Sequence, residues 1–257
     1  MMLTDTHCHL AEPLLLHDLP AVLAQAAAVD VCRFIVPATC RADFNAVLSL
    51  HRVPDIQIAL GIHPWFAGEA VKSDFNELER LLIKHSHAFV GEIGLDFHDK
   101  NLLKSSREQQ TECLLQQLQL AEKLKRPVII HNLKSSAALM TAVRETGFQQ
   151  GGIVHAFSGS LEEAQAFINH GLMIGIGSLL LNPNARKVRQ AVTLLPAEHL
   201  VFETDSPFML PKNEGINSPA NVRRVAEIAA DLRGVCLADL AEQTEANVSR
   251  LLAFQLA

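Results

Sequence analysis

Histidines and carboxylates stand at the ends of the short apolar runs of this chain. His7 and His9 are two residues apart after the first such run, and Asp5 precedes them. In an extended strand, side chains two residues apart point to the same face, so the three side chains would share a face. A pair of imidazoles backed by a carboxylate is a compact chelating edge for a divalent metal. An isolated His-x-His also occurs as two ordinary histidines, so the pair needs support from the rest of the chain.

Five more groups of this kind occur further along, each at the end of a strand-like apolar run: His63, Glu92, His131, His155 and Asp205. Any one of them alone would be a weak signal, but seven such groups at strand ends are improbable by chance. Imidazole and carboxylate ligands suit zinc, manganese or a comparable divalent ion, whereas magnesium prefers oxygen ligands. The sequence therefore predicts a divalent metal site without choosing the metal.

The elements that must position these residues alternate between short apolar runs and longer amphipathic runs. The predicted strands are Leu3–His9, Cys32–Pro37, Gln57–His63, Ala88–Leu95, Pro127–His131, Gly152–Phe157, Leu172–Gly177 and Leu200–Asp205. The predicted helices are Asp18–Val29, Asp43–Arg52, Asp74–His85, Glu108–Leu124, Ser136–Glu145, Leu161–His170, Ala185–Leu194, Ala220–Leu232 and Leu237–Leu252. Eight strands separated by helices predict a parallel sheet closed into a (β/α)8 TIM barrel, an α/β fold.

The length and composition fit this architecture. The 257 residues suit one barrel domain over 1–257. The chain is 49% hydrophobic and 19% charged, which is typical of a globular protein. It has neither a run of roughly 20 apolar residues nor a signal-like N-terminus, so we expect a cytoplasmic protein with no membrane contact. Its net charge of −6 disfavours bulk attraction of nucleic acid but permits a phosphate substrate at a metal site.

Barrel active sites lie at the carboxyl ends of the strands, which is where these residues fall. Glu92, in an apolar run beside Gly91, would be costly to bury without a cation, and a metal is the simplest partner. His63 is open to two interpretations: it could contact a substrate phosphate or orient a ligand, or it could be a supporting histidine behind the site at the end of a strand. We expect Asp5 and Asp96 to support the ligands. The most irregular segment, Phe208–Pro219, follows the eighth strand.

Together these motifs resemble the TatD-type metal-dependent deoxyribonucleases, which are amidohydrolase-like barrels. The matching stretches are Asp5-Thr6-His7-Cys8-His9, Gly61-Ile62-His63-Pro64, Gly91-Glu92-Ile93-Gly94-Leu95-Asp96, Val128-Ile129-Ile130-His131, His155-Ala156-Phe157-Ser158-Gly159, Glu203-Thr204-Asp205-Ser206-Pro207, Asn217-Ser218-Pro219-Ala220-Asn221 and Thr244-Glu245-Ala246-Asn247. The resemblance covers essentially the whole chain, and the ordered set of motifs is highly specific.

The resemblance implies two divalent metal ions and a hydrolytic reaction. The implied metal ligands are His7, His9 and Asp205 for one ion, His131 and His155 for the other, and Glu92 bridging both. The implied activity is that of a deoxyribonuclease of 3′-5′ exonuclease type, which cleaves phosphodiester bonds through a metal-activated water. Asp205, Glu92 and His63 are the implied catalytic residues, and Asp205 would also accept the proton of the attacking water.

One position departs from the family pattern. The family commonly has an arginine two residues after the fifth-strand histidine, and here that residue is Leu133. An arginine binds phosphate with two parallel hydrogen bonds, which a leucine cannot do, and Lys134 offers only a point charge. This departure weakens the expectation of DNA as substrate more than the expectation of metal.

Two alternatives therefore stay open. The same site could hydrolyse a carboxylic ester, an amide or a lactone, or the barrel could bind metal without catalysis, which the complete ligand set disfavours. We expect a monomer that contacts DNA or another phosphodiester transiently and has no obligate protein partner.

Overall fold

The structure, a computed structural model, describes residues 1–210 and 215–256. Eight parallel strands lie side by side in chain order. They are β1 Leu3–Asp5, β2 Val31–Pro37, β3 Ile56–Leu60, β4 Phe89–Asp96, β5 Val128–Leu133, β6 Gly152–Val154, β7 Leu172–Ile176 and β8 Leu200–Phe202. Beyond β1, the backbone N–H of Thr6 donates to the carbonyl of Phe202, which brings the first strand against the last. The predicted TIM barrel is confirmed.

Ten α-helices occur in the described residues. They are α1 Pro13–Leu16, α2 Leu19–Ala27, α3 Phe44–Leu50, α4 Lys72–Lys84, α5 Arg107–Leu124, α6 Ser136–Thr146, α7 Leu161–Ile168, α8 Arg186–Leu194, α9 Val222–Arg233 and α10 Leu237–Leu252. The short α1 was not predicted, and the other nine lie where the sequence predicts them. None of the described helices combines the length and apolar character that crossing a bilayer requires. Part of the predicted irregular segment, residues 211–214, lies outside the described residues.

The barrel interior is filled with apolar side chains at the end where the strands begin. Seven strands contribute one residue each: Ile35, Ala59, Phe89, Ile129, Ile153, Met173 and Val201. Val248 and Leu251 of α10 pack on this cluster and close that end of the barrel. A larger apolar cluster packs the outer face of the strands against the helices. The predicted site residues lie toward the opposite end, where the strands finish, whereas Thr4 and Arg33 at this end meet Glu245 of α10.

Glu92 points into the barrel because β4 departs from regular alternation. Phe89 belongs to the interior cluster, whereas Val90 and Ile93 belong to the outer one. Regular alternation from Val90 would turn Gly91 inward and Glu92 outward. The pairing of β4 with β5 shifts between Val90 and Ile93, and the extra residue allows Glu92 to face inward.

Four strands end before the ligand residues that they were predicted to carry. β1 ends at Asp5, β3 at Leu60, β6 at Val154 and β8 at Phe202. The segments that follow do not continue as strands. The backbone N–H groups of Thr6 and Cys8 still donate to neighbouring strands, at Phe202 and Ile35. The N–H of His9 donates instead to Ser206 at 2.7 Å, and that of His63 to Thr39 at 2.8 Å. The prediction of a strand over Leu3–His9 is therefore wrong beyond Asp5. The orientation of the first two histidines depends on hydrogen bonds to loops as well as to strands.

Gly94 allows β4 to pass close to β5 beside a predicted ligand. Its φ is 141°, and a Cβ there would overlap the carbonyl of His131. We expect Gly94→Ala to lower the free energy of unfolding by about 3 kcal/mol or more, because the two strands must separate. Gly234 has a φ of 65° and open space around its Cβ, so Gly234→Ala should cost only about 1 kcal/mol.

Urea denaturation followed by circular dichroism compares the two variants. Equal losses for Gly94→Ala and Gly234→Ala would contradict the role assigned to the close approach of the two strands.

Candidate metal centre

Six side chains converge at the carboxyl end of the barrel. They are His7, His9, Glu92, His131, His155 and Asp205. Between their facing nitrogen and oxygen atoms, the distances run from 2.8 Å, between His155 Nε2 and Glu92 Oε1, to 3.7 Å, between His9 Nε2 and Glu92 Oε2. Ligands of a tetrahedral zinc ion, each about 2.0–2.2 Å from the metal, lie roughly 3.4 Å apart. The cluster therefore has the spacing of a metal site.

His7, His9 and Asp205 form the first group. The Nε2 atoms of the two histidines are 3.2 Å apart. Asp205 Oδ1 is 3.2 Å from His9 Nε2 and 3.5 Å from His7 Nε2. Two facing imidazole nitrogens and a carboxylate oxygen at these distances leave room for one shared cation.

His131, His155 and Glu92 form the second group. Glu92 Oε1 is 3.1 Å from His131 Nδ1 and 2.8 Å from His155 Nε2, and the two histidine nitrogens are 3.1 Å apart. The other oxygen of Glu92, Oε2, is 3.4 Å from His7 Nε2. Glu92 thus presents one oxygen to each group, which is the arrangement that a bridging ligand requires.

His63 contacts Glu92 from a third side. Its Nε2 is 3.3 Å from Glu92 Oε1, and its Nδ1 accepts the backbone N–H of Trp65 at 3.2 Å. The spacing would also let Nε2 share an ion with Glu92 and His131. Because Nδ1 is an acceptor, however, a neutral His63 carries its proton on Nε2 and donates it to Glu92. This favours the interpretation of His63 as a residue that orients a ligand.

Asp96 orients His131 from behind. Asp96 Oδ2 is 3.3 Å from His131 Nε2 and accepts hydrogen bonds from Trp65 Nε1 and Asn101 Nδ2, both at 2.7 Å. Its Oδ1 accepts the backbone N–H of His98 at 3.0 Å. A carboxylate on one imidazole nitrogen fixes the tautomer and leaves the other nitrogen for a metal. Here it leaves His131 Nδ1 facing Glu92.

Asp5 ties together the two segments that carry the first group. Its carboxylate accepts the hydroxyl of Thr204 at 2.6 Å and the backbone N–H of Thr204 at 3.0 Å. It also accepts the N–H of His7 at 3.3 Å, while the N–H of Asp205 donates to the carbonyl of His7 at 2.8 Å. Asp5 thus joins the beginning of the chain to the segment after β8. Its contacts support the ligands of the first group, as expected from the sequence.

Glu203 is a site residue to which the motifs assigned no role. It is fully buried, its Oε1 accepts the N–H of Ala156 at 2.5 Å, and it lies 3.8 Å from His155 Nδ1. Burial raises the pKa of Glu203 well above its usual range. It fits there because Gly175 and Gly177 have no side chains. The available signal was Gly175 in β7 with Gly177 just beyond the strand, two residues apart opposite Glu-x-Asp.

The pKa values of the ligands reflect burial and mutual contact. Burial would raise the pKa of Glu92, but the histidines around it, His155 foremost, hold it well below its usual range. Burial, together with the nearby His155, lowers the pKa of His7 to about 4. Burial would also lower the pKa of His9, but the hydrogen bond and charge of Asp205 raise it to about 9. The proton on His9 occupies a place that a metal ion would take, because ligands bind deprotonated.

The structure brings all seven predicted site residues together. Six face one another as described, and His63 reaches the cluster through Glu92. The Nδ1 atoms of His7 and His155 are buried without a hydrogen-bond partner, so no protein acceptor holds these two rings by that nitrogen. The donor set of imidazoles and carboxylates fits zinc, manganese or a comparable divalent ion.

Comparison with known proteins points to one family. The chain matches the model of the family described as TatD related DNase over residues 4–253. It is 32% identical over 254 residues to YabD of Bacillus subtilis, an uncharacterized metal-dependent hydrolase, covering 97% of this chain and 98% of that protein. The human protein named deoxyribonuclease TATDN3 is 27% identical over 260 residues, which covers 97% of this chain and 94% of TATDN3.

A solved structure agrees with the same assignment. The crystal structure of YjjV, a TatD homologue from Escherichia coli K12, matches with a TM-score of 0.91 at 32% sequence identity. The match covers 97% of each chain, so the similarity extends across the barrel and its connecting segments.

The contact between Asp96 and His131 can be tested by substitution. We expect Asp96→Asn to lower the affinity for a divalent metal about 10–100-fold, because the amide no longer provides the carboxylate that orients the imidazole. Asn101→Ala, which removes one hydrogen bond from the same carboxylate, is the matched control and should have a much smaller effect. Titration of metal-stripped protein with zinc against a competing chelator measures both. Equal affinities for wild type and Asp96→Asn would show that Asp96 does not support the site.

Proposed function

The chain belongs to the family of TatD-related DNases, as its motifs predict, and on this premise we propose that it hydrolyses phosphodiester bonds in DNA with two bound divalent metal ions. The chain's membership of the family, and the description of its relatives as metal-dependent hydrolases, support its assignment as a metal-dependent hydrolase. The name of the human relative supports the choice of DNA, and we propose 3′-5′ exonuclease action.

The observation that carries the proposal is the position of Glu92 between two ligand groups. One group, His7, His9 and Asp205, would hold one ion, and the histidines His131 and His155 would hold the second. Two divalent cations bound there would supply Lewis-acid activation of water and of the scissile phosphate. The net charge of −6 does not oppose this, because the local charge of the ions dominates at the site.

We assign to Asp205 the role of general base, which accepts a proton from the attacking water. Its side chain is 16% exposed, whereas those of Glu92 and His7 are 3% and 0% exposed, so Asp205 is the carboxylate within reach of the barrel mouth. Burial would raise its pKa, but the hydrogen bond from His9 lowers it, so the carboxylate is ionised at neutral pH. An ionised and accessible carboxylate is what a general base requires.

Glu92 and His63 would act in binding and positioning. The N–H at His63 Nε2, 3.3 Å from Glu92 Oε1, would donate to that oxygen and so help to orient the carboxylate. Because His63 itself is held by the N–H of Trp65, this orientation is built into the segment after β3. Glu92 is therefore held in place before any ligand arrives, and such preorganisation favours catalysis.

A second candidate function follows from Leu133. It ends β5, two residues after His131, on the same face of the strand, where the family commonly has an arginine. A half-buried leucine offers apolar contact and no hydrogen bond to phosphate. The same metals could then act on a carboxylic ester, an amide or a lactone. Turnover of such compounds without cleavage of DNA would favour this alternative.

Asp205 provides the direct test of the proposed reaction. We expect wild-type protein, stripped of metal and resupplied with magnesium, manganese or zinc, to shorten end-labelled DNA progressively from its 3′ end. Asp205→Asn should reduce the rate about 10²–10⁴-fold, because the amide cannot accept the proton. Asp231→Asn, an exposed substitution in α9, is the control. Metal-independent cleavage, or full activity of Asp205→Asn, would refute the assignment.

Leu133 tests whether the missing arginine limits binding of nucleic acid. We expect Leu133→Arg to tighten binding to DNA and to steepen its salt dependence by the equivalent of one phosphate contact, a change of about 0.7–0.9 in slope. Leu133→Met keeps the size without the charge and should leave both unchanged. Fluorescence anisotropy with labelled DNA at several salt concentrations measures the slope. An unchanged slope for Leu133→Arg would contradict the explanation that the missing arginine limits binding.

A further inference from the structure

The mouth of the barrel carries large apolar side chains exposed to solvent. They are Trp65, Leu103, Phe208, Met209 and Ile216, which lie in the segments after β3, β4 and β8. Apolar side chains grouped around a polar site often mark a surface that contacts a ligand. The two aromatic members, Trp65 at 36% exposure and Phe208 at 48%, border the metal cluster itself.

Each aromatic ring packs edge-on against a histidine of the site. The centroid of the Trp65 ring is 5.0 Å from that of His63, and the centroid of Phe208 is 5.6 Å from that of His9. Trp65 follows β3 and Phe208 follows β8, and in the closed barrel β1 and β2 lie between these strands. The two rings therefore stand on different sides of the ligand cluster.

Residues of the site hold the Trp65 ring and the backbone of Phe208 in place. Trp65 Nε1 donates to Asp96 Oδ2 at 2.7 Å. The backbone N–H of Phe208 donates to the carbonyl of Asp205 at 2.8 Å, and Asn217 Nδ2 donates to the carbonyl of Phe208 at 2.6 Å. The Trp65 ring therefore loses little conformational freedom when a ligand binds, so a contact made on it retains most of its free energy.

A cation lies beside the exposed tryptophan. Lys104 Nζ is 4.0 Å from the centroid of the Trp65 ring. An aromatic face and an ammonium group at one edge of a metal site match the two parts of a nucleotide, because bases stack on aromatic rings and phosphates pair with cations. A purely aliphatic ligand would match the rings but not the ammonium group.

We propose that Trp65 and Phe208 form a base-binding subsite, in which each ring stacks on an unpaired nucleobase that flanks the phosphodiester at the metal cluster. This rests on the proposed function, because it assumes that the scissile bond belongs to a nucleic acid. Stacking on aromatic rings is tolerant of sequence, so the subsite selects for the presence of a base and not for its identity.

The fluorescence of Trp65 can report directly on the binding of a base at this site. The chain has one tryptophan and no tyrosine, so the indole emission comes from this site alone. The probes are a thymidine trinucleotide with phosphorothioate linkages that resist cleavage, and the same molecule with abasic residues. We expect the first to quench the emission and to bind about tenfold more tightly than the second. Equal quenching and equal affinity would overturn the proposal.

Kinetic measurements separate stacking from positioning. Trp65→Leu and Phe208→Ala should each raise KM about tenfold for a DNA oligonucleotide and leave KM for its abasic analogue within about twofold. Trp65→Phe keeps a ring but loses the hydrogen bond to Asp96, so it should lower kcat more than it raises KM. Leu194→Ala, an exposed substitution at the end of α8, is the control and should change neither constant.

The outcomes distinguish this proposal from the proposed function. Metal-dependent cleavage of both oligonucleotides with equal KM, unchanged in Phe208→Ala, would overturn the base-binding subsite and leave the nuclease assignment intact. Cleavage of neither oligonucleotide, with Trp65 emission that responds to a long-chain lactone and not to the trinucleotide, would overturn both in favour of the ester alternative. Quenching by the trinucleotide together with selective rises in KM supports both.

Discussion

Glu92 is a buried carboxylate within 2.8–3.7 Å of five imidazole rings, and the rest of the site is arranged around this contact. Burying an ionised carboxylate costs several kcal/mol unless cations or donors surround it. Here histidines supply that environment, and their own burial opposes protonation. A divalent cation satisfies both requirements, because it neutralises the carboxylate and binds neutral imidazoles. The electrostatic environment thus predicts a bound metal ion more strongly than the number of ligands alone does.

The barrel is adapted to make this contact possible. The shift in pairing between β4 and β5 turns Glu92 inward, and Gly94 lets the same strand pass close to His131. Where the first strand meets the last, Asp5 accepts a hydrogen bond from Thr204 and so joins the segments at the ends of β1 and β8 beside the ligands. The shifted pairing at Glu92 and the close approach at Gly94 lie next to residues of the cluster. At the other end of the barrel, which apolar side chains mainly fill, the pairing of β1 with β2 also shifts between Leu3 and Thr4.

The sequence was sufficient for the architecture and for the identity of the converging residues, because both depend on local patterns. Strand and helix periodicity repeats eight times, and polar residues at the ends of parallel strands must meet at one end of a barrel. It was insufficient for the exact orientation of His7 and His9, which depends on hydrogen bonds to distant loops. The position of Glu203 behind His155 could not be predicted either, because it depends on the space left by Gly175 in β7 and by Gly177 just after that strand.

The residues that hold metal and those that choose a substrate are fixed in different ways. The ligands are anchored by backbone bonds at strand ends, so relatives that share the barrel can share the cluster. Leu133 and Phe208 lie at the edge of this framework and can vary without disturbing the ligands, whereas Trp65 also bonds to Asp96 and so supports His131. Leu133 removes a phosphate contact, whereas the aromatic pair adds surface suited to a planar group. If the chain cleaves nucleic acid, its affinity for that substrate must therefore rely more on base stacking and on the metal ions than on an arginine. The protein would then recognise the base as well as the sugar-phosphate backbone.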